Sequence, residues 1–150
     1  MRRQSEVDDM RNTRTLRGVV TGSTKKEIFT NDLRNVGWRV KSFKIWPNDM
    51  DNNPYVSSKL WSGDDSGGSL TFSGAGDNRA IGWAAGGGGP GTPQIWNTLD
   101  PDHIVTEALH ILNHTTDSAA YLVELEYMEL SDNQEIMAII KQRSQDTLDG

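Results

Sequence analysis

Three histidines, two alternating glutamates, two aspartate-rich segments, a glycine run and five tryptophans are the residues of this 150-residue chain that could do chemistry. His110 and His114 stand four apart, a spacing that binds zinc when both lie on one face of a helix. On a strand they would be separated by about 13 Å, at ~3.3 Å per residue, too far to share an ion. Neither His103 nor any carboxylate stands at a matching position. Glu124 and Glu126 would share a strand face roughly 7 Å apart along the backbone, within the range of glycosidase carboxylates. Alternating glutamates are also what the solvent face of a sheet ordinarily carries. Asn48-Asp49-Met50-Asp51-Asn52-Asn53 resembles the opening of a calcium loop, and Asp64-Asp65 could add ligands if the two segments met. Counted from Asp49, however, Pro54 replaces the required glycine and Leu60 the closing glutamate. The run Gly86-Gly87-Gly88-Gly89-Pro90-Gly91 lacks the Gly-Lys-Ser/Thr of a phosphate loop, and Pro90 and Pro93 oppose the helix a dinucleotide fingerprint requires. The absence of cysteine excludes disulfides and thiolate metal sites. No nucleophile elbow or histidine–nucleophile constellation is visible. The expectation is a non-enzymatic protein with no cofactor, no metal and no catalytic residue.

The tryptophans admit two uses: stacking platforms for sugars or bases, or anchors of cores and interfaces. Trp38, Trp83 and Trp96 lie within short apolar strands, which predicts core positions. Trp46, before Pro47, and Trp61, before Ser62-Gly63, lie at strand ends and are the interface or ligand candidates.

These residues must be positioned by a chain of one-domain length. Hydrophobic residues form 35% of it, and fifteen glycines with abundant Asn, Asp, Ser and Thr imply many turns between short strands. The formal net charge is −6. Residues 1–17 carry five arginines against three carboxylates, a surplus too small for a genome-neutralising arm, so direct nucleic-acid binding is not expected. The N-terminus lacks the apolar stretch of a signal peptide, and no run reaches the length of a membrane span.

Residues 1–13 are polar and aperiodic and read as an arm. Strands are predicted at 15–21, 26–30, 37–46, 55–61, 69–73, 80–85, 94–96, 103–112 and 121–127. Apolar parity within 37–46 switches near Ser42, which suggests a bulge. Residues 103–112 mix helix formers with β-branched residues. They are read as a strand because the cleanly alternating Tyr121–Tyr127 needs a neighbour to pair with. Ser131 to Ser144 is predicted to be a helix: Ser131 and Gln134 can form a capping box, and Asp132 and Glu135 suit the positive end of the dipole. Its apolar face is Ile136, Ile139 and Ile140, with Met137 beside it. The organisation is then an arm (1–13), a β-sandwich domain (14–130), an amphipathic helix (131–145) and a tail (146–150). The fold class is mainly β: a jelly-roll-like antiparallel β-sandwich with one C-terminal α-helix.

Asp102-His103-Ile104-Val105, Tyr121-Leu122-Val123-Glu124-Leu125-Glu126 and Ile139-Ile140-Lys141-Gln142-Arg143-Ser144-Gln145 resemble the C-terminal third of small tailed-phage proteins of marine origin, which also end in a strand and an amphipathic helix. The many short strands resemble jelly-roll virion proteins in general, a likeness of architecture. The resemblance implies a phage structural protein: a capsid subunit, a decoration protein or another virion component, assembled in the host cytoplasm. It would act by self-association, with copies of itself and other virion proteins as partners. The interface candidates are Trp46, Trp61, Ile136, Ile139 and Ile140. The alternative is a carbohydrate-binding β-sandwich, such as a receptor-binding tip, with Trp46 and Trp61 as platforms.

Overall fold

A computed structural model describes residues 12–49, 54–63, 78–87 and 96–149, the last eight of them by backbone only. Among these residues nine strands and a helix follow in the order β1 (Thr13–Val20), β2 (Lys25–Thr30), β3 (Val36–Pro47), β4 (Tyr55–Ser62), β5 (Ala80–Gly87), β6 (Trp96–Leu99), β7 (Ile104–Val105), β8 (Ala108–Asn113), β9 (Ala119–Glu129) and α1 (Asp132–Asp149). The arm up to Arg11, the strand expected at 69–73 and most of the glycine run lie outside the described residues.

The strands form two antiparallel sheets, β1-β9-β3-β7 and β2-β8-β4-β5-β6. The pairs β1·β9, β2·β8, β3·β7 and β4·β5 nest one inside the next along the chain, and successive pairs fall in alternate sheets. That is a long hairpin rolled up on itself, the topology of a jelly roll, with β6 added at one edge. The fold class read from the strand pattern is therefore borne out.

Alternation builds the core. Val40, Phe43, Ile45, Val105, Tyr121, Val123 and Leu125 of one sheet meet Val56, Leu60, Ile81, Leu109 and Ile111 of the other, all buried. Between Val40 and Ser42 the register slips by one residue, so that Val40 and Phe43, three apart, both face inward. This is the bulge expected near Ser42. Trp38 is buried as expected, edge-on to Phe29 and Tyr127 at 5.4 and 5.6 Å between centroids.

Two expectations fail. Residues 103–112 are not one strand beside β9: they are β7 and β8, in opposite sheets, and β9 pairs with β1 and β3 instead. The corner between them is tied by Asn31, whose Nδ2 donates to the carbonyls of Thr106 (3.0 Å) and Val36 (2.9 Å) and whose backbone N–H donates to Glu107 O (2.9 Å). Local alternation demands some neighbour; the roll supplies one from far away in the chain. The helix also runs on to Asp149, through the segment expected to be a tail.

Candidate functional site

The helix α1 begins as its sequence predicts. Gln134 N–H donates to Ser131 Oγ (3.2 Å), and Ser131 N–H donates to Gln134 Oε1 (2.9 Å), a closed capping box. The first turn is fastened to the sandwich by polar contacts. Asn35, in a left-handed conformation at φ 58°, donates its N–H to Glu135 Oε2 and its Nδ2 to Asp132 Oδ1, both at 2.8 Å. Further along, Lys141 Nζ lies 3.7 Å from Asp100 Oδ2.

The apolar face read from the sequence is largely left unburied by the sandwich. Ile136, Met137 and Ile140 are 53%, 69% and 56% exposed, and Ile139 is half-buried. The helix presents a different face to the sandwich, where Asn133, Gln134, Met137, Ala138 and Lys141 with Asp102, His103 and Ile104 line a groove of about 480 Å³. An amphipathic stripe tells which side chains share a face, not which way the helix is rolled, and here the polar anchors set the roll. Ile136 and Ile140, one turn apart, are left largely in solvent, and the exposed Met137 lies beside them at the rim of the groove.

His103 is the most perturbed group beside the groove. It is 3% exposed, with Nε2 2.6 Å from Ser62 Oγ and Nδ1 without a hydrogen-bond partner. Burial, reinforced by Lys141 and opposed by Asp100, lowers its pKa to about 4, so the ring is neutral. A Ser–His contact of this length is what nucleophilic catalysis uses. Here Ser62 is fully buried, and no group orients the ring from Nδ1. The separation of 41 positions hid the pair from sequence inspection; only the packing of the β6–β7 connection against β4 brings them together.

The tryptophans are sorted differently from expectation. Trp46 is exposed at 44%. Trp61 is fully buried, its ring stacked on that of His110 at 5.1 Å and 14°, which corrects its assignment as a platform. Its strand is the middle one of the five-stranded sheet, with β8 and β5 on either side, so a position at a strand end is not a position at the surface. Trp96, expected in the core, is 46% exposed because β6 is an edge strand. Trp46 and Trp96 line one cleft of about 200 Å³ with Phe43, Lys44, Ile45, Ala84, Ala85 and Asn97.

The other candidates do not converge. His110 Nε2 is 2.9 Å from Gly63 O in the interior, whereas His114 is exposed. Glu126 pairs with Lys41 at 3.4 Å on the outer face of β9. Among the described residues no three His, Asp or Glu side chains cluster to hold a metal ion, and no helix is long and apolar enough to cross a membrane. Asp51, Asp64 and Asp65 lie outside the described residues. No family model matches the chain, and no curated protein does.

Proposed function

We propose that the chain is a non-enzymatic structural subunit of a virus particle, a capsid, decoration or other virion component, that works by self-association in the host cytoplasm and in the assembled virion. The observation that carries this reading is the strip of Ile136, Met137 and Ile140, exposed on a helix held to its own domain by polar contacts. Large apolar side chains left mostly in solvent are what a permanent contact between subunits buries. The strip is also self-complementary. About a two-fold axis level with Ala138, Ile136 of each copy faces Ile140 of the other, and Met137 extends the contact. The jelly roll adds support by analogy of architecture, since many virion subunits share it. Partners would be copies of itself and other virion proteins. Sedimentation velocity over a concentration series tests the reading. An oligomer at micromolar concentration is expected; a monomer at every concentration, including in assembly-promoting salt, would overturn it.

A further inference from the structure

We propose that the cleft between Trp46 and Trp96 binds a neutral pyranose ring, as one unit of an oligosaccharide. The proposal is independent of self-association, because the cleft is built from β3, β5 and β6 and uses nothing of the helix.

The topology makes the cleft. The short strand β7 pairs only with Trp38 and Arg39, so among the described residues the later half of β3 has no neighbour on that side within its own sheet. There the opposite sheet closes in instead. Gly86 of β5 comes so near that a Cβ would lie 2.9 Å from Ile45 O, and Asn97 Nδ2 of β6 donates to Phe43 O at 3.3 Å. The space left over is about 200 Å³, the scale of a single sugar ring, with an indole from each sheet at its sides.

The lining has two kinds of chemistry. Trp46 and Trp96 are each about half exposed, and the face of an indole is a surface on which the axial C–H groups of a pyranose with equatorial hydroxyls can stack. Around them stand directional polar groups. The bond to Phe43 O fixes the Asn97 amide and leaves its Oδ1 to accept from a hydroxyl. Exposed Lys44, which has no ion pair among the described residues, can donate to one. An apolar floor with a few fixed polar groups is the make-up of a small-ligand site. An extended peptide adding to the β3 edge fits less well, because two of the edge carbonyls a strand would need, Phe43 O and Ile45 O, are bonded by Asn97 and crowded by Gly86.

The test is a titration of the full chain with cellotetraose and, separately, chitotetraose, followed by the indole N–H resonances in two-dimensional NMR. Saturable shifts of the Trp46 and Trp96 signals are expected with at least one of them, and the Trp61 signal should stay still. Trp46→Ala and Trp96→Ala should each weaken binding several-fold, up to about tenfold, the loss of one stacked ring. Trp83→Phe should leave it unchanged. Neither alanine variant removes a core side chain, and the wild-type shifts stand as a readout even if one unfolds. Two outcomes would overturn the proposal: no saturable shift with either tetrasaccharide, or binding that survives both alanine variants.

Discussion

Replacing Ile140 by alanine separates a helix that belongs to the core from one that belongs to an interface. A fully buried isoleucine truncated to alanine costs about 2–5 kcal/mol. Ile140 is 56% exposed, so the isolated subunit should lose less than about 1 kcal/mol, part of it offset by the better helix propensity of alanine. Association is another matter. Fully burying such a side chain contributes about 1.5–3 kcal/mol, and roughly half of Ile140 remains to be covered, or ~1 kcal/mol. In a two-fold contact the substitution occurs twice, for ~2 kcal/mol, about thirtyfold in the dissociation constant. The assay is sedimentation equilibrium of wild type and variant, with urea denaturation at two protein concentrations. The wild-type midpoint should rise with concentration, and that dependence should weaken in Ile140→Ala. A variant that loses 2 kcal/mol or more with a midpoint independent of concentration would place Ile140 in the intramolecular core. One with wild-type association would remove the strip from the interface.

For contrast, Ile111→Ala, at a fully buried position between the sheets, should cost about 2–5 kcal/mol at any protein concentration, read from the same urea titrations. Acid should destabilise the fold through His103. Its folded pKa, about 4, lies below the ordinary 6.5, so the unfolded chain takes up a proton that the folded one refuses. Stability therefore falls as pH drops from 6.5 to about 4 and this contribution then levels off; 2.5 units correspond to ~3 kcal/mol. His103→Gln should flatten that part of the stability–pH curve, and an unchanged slope would refute the assignment. Ser131→Ala opens the capping box and should cost the helix about 1 kcal/mol. Amide exchange within α1 should quicken several-fold while the global melting temperature barely moves, because the helix is docked on the sandwich rather than built into its core.

What the sequence by itself determined is what local physics controls. Two-residue alternation marked the inward faces of β3 and β9, the parity switch located the bulge beside Ser42, and the Ser131–Gln134 spacing began the helix at the right residue. Each depends on neighbours a few positions away, so the signal lies wholly within a short window. Only the tertiary structure decided which strands lie side by side. That choice divided 103–112 between two sheets, buried Trp61 in mid-sheet against His110, and left Trp96 on an edge. It also paired Ser62 with His103 and put Trp46 and Trp96 on one cleft, though each pair comes from elements distant in the chain or in opposite sheets. Burial of a side chain is a property of everything packed around it. In a rolled hairpin most of those surroundings come from the far end of the chain, where no local pattern can report them.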